Sequence, residues 1–332
     1  MKNKKKKFNL KKILLIVVPI ILISLAIIIG IYYTNKNNSN GVFSILEKRW
    51  IEKNKSSVID VSILNDVPIF GMEGEGVFFD FLDDFTKETG IEFNMIPYSM
   101  GKSSSSSKYV FEMNHKTKLD DNELLFFKDN YVLVSKDSKK VKKFTDLEDV
   151  TIGALDTELT TIKDYLSDNT KVVYNTYTSI DNIVTALNNN EIKYAIVSSN
   201  QYIDKIFSNN YYISYNIPEI YTNYVLKVDG DEKILNSIIN KFYIRWNKEK
   251  LSNSYNSRLF SFYFEQKNLD DVTKSDFMSK EYTYGYVKNL PYESKINEDF
   301  IGYNSEMLDD FAKRTGVTFK VREYNSIKDL TS

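Results

Sequence analysis

Two aspartate pairs and a single histidine are the residues whose types could support chemistry in this chain. Asp83-Asp84 and Asp309-Asp310 could act as paired acids, and His115 could act as a base or a metal ligand. The aspartates fall on the polar side of amphipathic helical patterns, which favours a solvated helix surface. Because His115 is the only histidine and no cysteine occurs, the sequence offers no catalytic triad, metal site or disulfide. It therefore predicts a protein that is not an enzyme and needs no metal or cofactor.

Other residues could contact a ligand without catalysing a reaction. Asp156 and Thr157 stand at a predicted helix start, where backbone N–H groups either receive an anionic group or are capped by the aspartate. Phe70 and Tyr98 could stack on a ligand or belong to the core. The residue types alone leave these alternatives open.

The composition combines a large hydrophobic fraction with an uneven distribution of charge. The chain has 332 residues, of which 42% are hydrophobic and 14% aromatic. Its net charge is −1, but residues 1–12 contain seven lysines and no acid, which leaves 37 basic and 45 acidic residues in the remainder. An acidic body argues against nucleic acid as a partner, because phosphates require a basic face.

An uncharged segment near the N-terminus predicts a membrane anchor. Ile13 to Tyr33 is 21 residues long, and at 1.5 Å per residue it spans roughly the 30 Å of a bilayer core. The lysines of residues 1–12 precede it, so the positive-inside rule places this basic tail in the cytoplasm and the body outside the cell membrane. A cleaved signal peptide is the alternative, but its nearest small-residue site, Ser24 to Ala26, lies inside the apolar segment. We expect a single-pass protein in which residues 34–56 form a linker and a juxtamembrane helix.

Beyond the anchor, strand patterns alternate with helix patterns. The predicted strands are Val58 to Leu64, Ile91 to Ile96, Tyr131 to Ser135, Val150 to Ala154, Tyr194 to Val197 and Tyr224 to Val228. The predicted helices are Phe43 to Lys53, Val77 to Thr89, Thr160 to Leu166, Ile180 to Asn188 and Glu232 to Lys248. This alternation predicts an α/β fold with mainly parallel sheets.

An internal repeat is the most informative feature of the sequence. Residues 76–98 align with residues 302–324 without a gap and with ten identities in 23 positions. The shift of 226 residues is the length of a domain, so we expect one complete domain followed by the start of a second. The second copy consists of strand, helix and strand, which cannot close a core, so we expect it to be truncated.

The repeated unit resembles the opening of the type II periplasmic solute-binding fold of the family-3, or Venus-flytrap, class. The resemblance rests on a strand, a proline followed by an aromatic residue, a glycine, an amphipathic helix, another glycine and a second strand. The proline motifs are Pro68-Ile69-Phe70 and Pro291-Tyr292. Residues 144–158 are similar to the family's opening of lobe 2, residues 183–203 to its helix and buried strand, and residues 224–255 to its closing helix.

The resemblance implies a two-lobed, periplasmic-binding-protein-like (type II) α/β domain after one transmembrane helix, followed by an incomplete second copy. Crossing strands expected at Tyr131 to Lys136 and Tyr224 to Val228 would form the hinge. The implied segments are lobe 1 (57–133 and 226–268), lobe 2 (134–225), a linker (269–282) and the second, truncated domain (283–332).

The sequence departs from the relatives that bind amino acids. In those relatives an arginine contacts the ligand carboxylate and a lobe-2 aspartate contacts the ammonium group. Here Asp120, Asp121 and Glu123 stand where the arginine is expected, and Ser199 stands where the aspartate is expected. The resemblance therefore predicts a small-molecule ligand that need not be an α-amino acid. The candidate ligand-binding residues are Phe70, Tyr98, Tyr131, Asp156, Thr157 and Ser199.

Three cellular roles fit this resemblance. The first is an extracytoplasmic sensor whose output domain follows the tandem domains, and the repeat favours it. The second is the substrate-binding component of an ABC importer, which would contact a permease. The third is an accessory domain of a cell-wall lytic transglycosylase, which the lack of a recognisable catalytic domain makes the weakest of the three.

Overall fold

The computed structural model describes residues 42–102, 107–166, 171–228 and 230–331. The predicted basic tail, the membrane helix Ile13 to Tyr33 and the linker before residue 42 lie outside the described residues, as does part of the serine-rich loop, residues 103–106. None of the helices within the described ranges is both long enough and apolar enough to cross a membrane. The anchor therefore stays a prediction.

Lobe 1 is built around a parallel strand–helix–strand unit. Its elements are α1 (Ile45–Lys53), β1 (Val58–Leu64), β2 (Asp66–Val67), β3 (Gly71–Met72), α2 (Val77–Thr89), β4 (Glu92–Tyr98) and β5 (Tyr109–Asn114). Strand β1 lies between β4 and β5 and pairs with both in parallel. Gly76 precedes α2 with φ 130°, and a Cβ there would lie 2.4 Å from the carbonyl oxygen of Phe70. Only glycine fits so close an approach of the two backbone segments.

Helix α2 has the bounds that its amphipathic pattern predicts, and it buries an aromatic face. Phe78, Phe81 and Phe85 recur at helical spacing and are almost fully buried. The aromatic rings around them belong to Phe111, Phe126, Phe242 and Trp246. Gly90 ends the helix in the left-handed conformation, as expected for a C-terminal cap. This cluster is the centre of the lobe-1 core.

Two long strands join the lobes. β6 (Glu123–Ser135) and β10 (Tyr212–Lys227) pair antiparallel along nearly their whole lengths, so the predicted crossings are parts of much longer strands. The pairing register shifts between Ile217 and Tyr221 of β10. Ile217 pairs with Tyr131, and Tyr221 pairs with the preceding residue of β6, Asn130. The extra residues of β10 at this irregularity bend the strand pair where it passes from one lobe to the other.

Lobe 2 continues the same sheet. Its elements are β7 (Val150–Leu155), α3 (Leu159–Leu166), β8 (Val172–Tyr177), α4 (Ile180–Asn188), β9 (Tyr194–Ser198) and α5 (Ile203–Ser208). The eight strands lie in the order β4-β1-β5-β10-β6-β9-β7-β8. The four pairs of this sheet that include neither β6 nor β10 are parallel, and the three pairs that include β6 or β10 are antiparallel. The two-lobed α/β fold expected from the sequence is thus confirmed.

The boundary between the lobes differs from the predicted positions 133/134 and 225/226. Tyr131 and Leu133 pack in the lobe-2 core, whereas Tyr224 packs in the lobe-1 core. The crossing therefore lies near Asn130 on β6 and Tyr221 on β10, at the register jump. The sequence pattern misplaced it because both strands remain apolar on either side of the crossing.

Helices follow the last strand of the sheet. They are α6 (Lys233–Trp246), a π-helical turn (Asn247–Leu251), α7 (Ser252–Gln266) and α8 (Asp271–Ser279). Helix α8 lies within the segment 269–282 that was predicted to be a linker. Asp270 caps the helix by accepting a 2.7 Å hydrogen bond from the backbone N–H of Thr273. Phe277 packs its ring on Phe260 and Phe264 of α7, which fixes α8 in place.

The second unit reproduces the start of lobe 1. Its elements are β11 (Glu281–Val287), β12 (Ser294–Ile296), β13 (Asp299–Ile301), α9 (Tyr303–Thr315), β14 (Thr318–Tyr324) and α10 (Ile327–Thr331). β11 and β14 pair in parallel, as β1 and β4 do. Thr315 and Thr89 each donate to the carbonyl four residues earlier at 2.8 Å, and Gly316 repeats the left-handed cap of Gly90. The sequence repeat is therefore also a structural repeat.

Candidate functional site

The candidate site lies where β6 and β10 pass together from one lobe to the other, against the loop that follows β9. Five residues there would form the floor of the cleft expected between the lobes, and we call them the cleft floor: Asp129, Glu158, Ser199, Asn200 and Tyr224. Asp129 is fully buried. Its carboxylate accepts hydrogen bonds from the hydroxyls of Ser199 (2.6 Å) and Tyr224 (3.1 Å), and from the backbone N–H of Asn200 (3.0 Å). Further donors are Ser198 Oγ, the Asn200 side-chain amide and the Gln201 backbone N–H.

This set of donors satisfies a buried negative charge without a cation. Several hydrogen bonds to a carboxylate can offset the cost of taking it out of water. The bonds also fix the loop after β9 to the strand crossing, because every donor except Tyr224 lies in residues 198–201. Burial, and then the charge of Asp129, raise the pKa of Tyr224, which keeps that hydroxyl protonated as a donor.

Glu158 is the second acid of the cleft floor, and its carboxyl group is only partly satisfied. Its Oε2 atom is buried and has no hydrogen-bond partner among the described residues. Burial, together with the charge of Asp129, raises the pKa of Glu158 to about 7, although a hydrogen bond with Tyr131 opposes the shift. The group therefore changes charge close to neutral pH, unlike an exposed glutamate.

Contacts between the lobes surround the cleft floor. The side-chain amide of Gln201 in lobe 2 donates to Met100 Sδ in lobe 1 at 3.0 Å. The hydroxyl of Tyr255 on α7 donates to Asn200 Oδ1 at 2.7 Å. The ring of Tyr255 also stacks on Phe127 of β6, with ring centroids 4.8 Å apart and planes at 17°. Side chains of the chain itself thus join the two lobes around the crossing.

Two of the predicted ligand-binding residues are anchored by contacts inside the protein. Phe70 is fully buried and stacks on Tyr224 with ring centroids 4.3 Å apart, which is core packing. The Tyr98 hydroxyl donates to the carbonyl of Phe111 at 2.6 Å, and burial raises the pKa of Tyr98.

The other four predicted residues lie in lobe 2 or at the strand crossing. Tyr131 is buried beside Glu158, and its pKa is raised by burial and by that carboxyl. Ser199 belongs to the Asp129 network. Asp156 and Thr157 are exposed just before α3, and Asp156 Oδ1 accepts from the Thr157 backbone N–H at 2.7 Å. The structure thus brings Tyr131 and Ser199 to the cleft floor, close to Asp129.

The acids expected in place of a ligand-binding arginine do not reach the cleft floor. Glu123 and Asp120 both bind Lys116 at 2.6 Å, at the far end of β6 in lobe 1. Glu123 lies six residue steps along the strand from Asp129, which corresponds to about 20 Å. Asp120 and Glu123 therefore lie away from the cleft floor, because β6 is far longer than the sequence pattern indicated.

The other residues whose types could support chemistry make contacts within the protein or lie exposed on its surface. Asp84 accepts from Trp246 Nε1 at 3.0 Å and binds Lys250 at 2.9 Å, while Asp83 is exposed. His115 is exposed at the end of β5. In the part of the chain that the structure describes, no group of three or more metal-binding side chains is found.

A cavity of 470 Å³ lies between the turn before α2 and helix α7. Arg258 contributes to its wall, but that guanidinium binds Asp80 at 2.7 Å and also pairs with Glu75. Glu73 and Glu265 are further acidic members of the wall. Arg258 is therefore already engaged by carboxylates.

Sequence reasoning missed Asp129, Glu158 and Gln201. A signal for Asp129 was present, since Lys-Asp-Asn interrupts the otherwise apolar stretch from Leu124 to Val134. A charged residue inside a strand that becomes buried needs partners, and these come from residues about 70 positions away. Glu158 had no comparable signal, because its burial depends on how β7 meets the crossing strands.

No protein-family model matches the chain, and no curated protein matches it. Among solved structures, the chain is similar to the periplasmic domain of BvgS from B. pertussis, with 14% identity, a TM-score of 0.48, and coverage of 87% of this chain and 60% of that chain. It is also similar to the probable amino-acid ABC transporter extracellular-binding protein YtmK from Bacillus subtilis, with 12% identity, a TM-score of 0.47, and coverage of 63% of this chain and 97% of that chain. A third is the amino-acid ABC transporter substrate-binding protein AbpA from Streptococcus pneumoniae bound to L-arginine. Its identity is 15% and its TM-score 0.42, and the match covers 65% of this chain and 98% of that chain. The chain spans 60% of the length of the BvgS structure.

Proposed function

We propose that residues 57–268 form a solute-binding or sensing module that takes a small molecule between its lobes. The observation that carries the proposal is the pair of long strands β6 and β10, which joins two hydrophobic cores and has its largest register shift between Ile217 and Tyr221, where it passes from one lobe to the other. Such a shift provides a hinge between two rigid bodies. A small molecule that enters between the lobes is enclosed when they close, as in many sites between domains.

The ligand that suits the cleft floor is neutral or cationic. Asp129 and Glu158 place two carboxyl groups there, and Ser199 is already a donor to Asp129. Arg258 is held by Asp80 and Glu75. A ligand carboxylate buried here without a cation would cost several kcal/mol, and each 1.4 kcal/mol lowers affinity about tenfold. We therefore expect no tight binding of ordinary zwitterionic α-amino acids.

A thermal-shift screen of the chain against the twenty amino acids, polyamines and small neutral solutes tests this proposal. Calorimetry then gives the dissociation constant of each compound that raises the melting temperature. We expect a cationic or neutral compound to bind and Glu158→Ala to weaken it at least tenfold. Asp164→Ala, at an exposed position of α3, is the control. Submicromolar binding of a zwitterionic amino acid would overturn the ligand class, and no binding by any compound would count against the solute-binding function.

The module is proposed to be held outside the cell membrane by the helix Ile13 to Tyr33, with the N-terminus in the cytoplasm. The support is the uncharged 21-residue segment behind seven lysines. Protease added to intact cells or protoplasts should digest residues 42 onward. Complete protection of this part of the chain would reject the topology.

A sensor is the role that the tandem arrangement favours, because a second unit that repeats the start of lobe 1 follows the first domain and contacts it through Arg314 and Asn256. A substrate-binding component of an ABC importer is the second candidate, with a permease as partner. Deleting the gene separates the two, since an importer component is required for ligand uptake and a sensor is required for a response to the ligand. An accessory role in a lytic transglycosylase would instead change cell-wall turnover.

A further inference from the structure

Helix α7 contacts both lobes of the first domain and the second unit. On its lobe-1 side, Ser254 Oγ donates to Asp80 Oδ2 at 2.6 Å, and Arg258 Nη2 binds Asp80 Oδ1 at 2.7 Å. Residues 254 and 258 are four apart and so lie on one side of the helix. This pair attaches α7 to helix α2 of lobe 1.

Different residues of α7 attach it to lobe 2. Tyr255 donates to Asn200 in the loop after β9, as described above. The ring of Tyr263 meets Phe207 of α5 edge-on at 5.2 Å. Lys267, just after α7, donates to the carbonyl of Phe207 at 2.7 Å and also to Asn210 Oδ1. Lobe 2 is therefore held along about three turns of helix.

A third contact reaches the second unit. Asn256 is buried, and its Oδ1 accepts from Arg314 Nη1 of α9 at 2.8 Å. An apolar cavity of 260 Å³ lies where α5, α7 and α9 meet, with Phe207, Tyr263 and Phe311 in its wall. At 100° per residue, Asn256 and Tyr263 lie on roughly the opposite side of α7 from Ser254.

We propose that α7 is a strap that holds the lobes in contact and transmits their relative movement to the second unit. Lobe 2 cannot rotate about the strand crossing unless its contacts with Tyr255 and Lys267 break or α7 moves with it. In the second case, α7 changes position relative to Asp80 and moves the Asn256–Arg314 contact. The strap is made by the chain's own side chains, so it acts whether or not the proposed ligand exists.

Distances between spin labels test the strap, because the chain has no cysteine and introduced thiols are the only labelling sites. Asp83→Cys in lobe 1, Asp164→Cys in lobe 2 and Lys313→Cys in the second unit are all at exposed positions. Pulsed electron paramagnetic resonance on the full chain, labelled at two positions and without added ligand, then gives the distributions of the 83–164 and 164–313 distances.

The double variant Tyr255→Phe/Lys267→Gln removes the polar contacts to lobe 2. We expect the ratio of open to closed lobes to rise about ten- to hundredfold, which appears as a longer 83–164 population. The control is Tyr212→Phe/Lys139→Gln, at exposed positions of lobe 2, which should leave the distribution unchanged. Identical distributions in the double variant and the control would overturn the strap.

The variant Arg314→Gln provides a second test that does not depend on the lobe contacts. It should leave the 83–164 distribution unchanged and broaden the 164–313 distribution, because the contact between α7 and α9 is lost and the ion pair with Asp310 that is lost with it lies within α9. Arg322→Gln, on β14, is the matched control. A 164–313 distribution equal to that of the unaltered chain would overturn the transmission to the second unit, even if the double variant failed to fold.

Discussion

The carboxylate of Glu47 on α1 binds the ammonium group of Lys241 on α6 at 2.7 Å, and the side chain of Glu47 is only 6% exposed. The same carboxylate accepts from Ser237 Oγ at 2.6 Å and from the Ser44 backbone N–H in a capping box. The predicted juxtamembrane helix is therefore attached to the body of lobe 1. A rigid attachment of this kind places α1 within the first domain.

Glu47→Gln should lower the free energy of unfolding by about 1–2 kcal/mol. Burial alone would raise the pKa of Glu47, but hydrogen bonds from Lys241, Ser237 and Ser44 outweigh it and hold the pKa at about 2. The folded pKa lies below the unfolded value near 4.5, so the stabilisation is present above pH 4.5 and is lost as pH falls toward 2. Urea titrations across this range measure the effect. Glu52→Gln on the exposed side of α1 is the control, and an equal loss in both variants would contradict the role of Glu47.

Asp129→Ala should destabilise the first domain by about 3 kcal/mol or more, because it leaves the hydroxyls and N–H groups of residues 198–201 without their acceptor. Denaturant unfolding of the purified chain measures this loss. Asp164→Ala, on the exposed surface of α3, should change the stability by less than about 0.5 kcal/mol. Native-like stability of Asp129→Ala would mean that the network is dispensable.

The Glu158 carboxyl should make stability depend on pH near neutrality. Its folded pKa of about 7 lies above the unfolded value near 4.5, so the folded state binds more protons and stability falls as pH rises between these values. Glu158→Gln should remove about 3 kcal/mol of this decline, because the folded pKa of about 7 lies about 2.5 units above 4.5 and one pKa unit corresponds to about 1.4 kcal/mol. Melting temperatures of the unaltered chain and of the variant, measured from pH 4 to 8, give the slope of stability against pH for each. The same slope in the variant and the unaltered chain would place the pKa of Glu158 in its ordinary range.

Gly76→Ala should impair folding of lobe 1. A Cβ at Gly76 would lie 2.4 Å from the carbonyl oxygen of Phe70, and φ is 130°. The added methyl must displace backbone, which we expect to cost about 3 kcal/mol or more. Gly230→Ala is the control, because a Cβ there has no heavy atom within 4 Å. Circular dichroism and thermal melts should separate the two variants, and equal melting temperatures would contradict the prediction.

The second unit should exchange its amide hydrogens faster than the first domain. On α2 the residues Phe81 and Phe85 are buried, whereas Met307 and Phe311 at the corresponding positions of α9 are about half exposed. The second unit therefore has few buried apolar contacts to protect it. Hydrogen exchange should show slow amides in residues 57–265 and fast ones after 283. Equal protection would show that the second unit has a core of its own.

The sequence determined the elements whose signal is local. The bounds of α2 follow from apolar residues at helical spacing between two glycines, and β1 follows from the strand pattern of Val58 to Leu64. The repeat predicted that the second unit has the same topology, because identical residues serve identical caps at Thr89 and Thr315. The α/β class could be predicted in this way, whereas the two lobes were implied by the family resemblance.

Only the tertiary structure decided the lengths of β6 and β10, the surroundings of Asp129 and Glu158, and the placement of α7. The donors to Asp129 lie about 70 residues further along the chain, and the Tyr255–Asn200 bond joins residues 55 apart. Periodicity describes which side of one element is apolar, but it carries no information about which distant element covers that side. Burial, pairing and the pKa of Glu158 all depend on that choice, and the choice is made when the two lobes pack together.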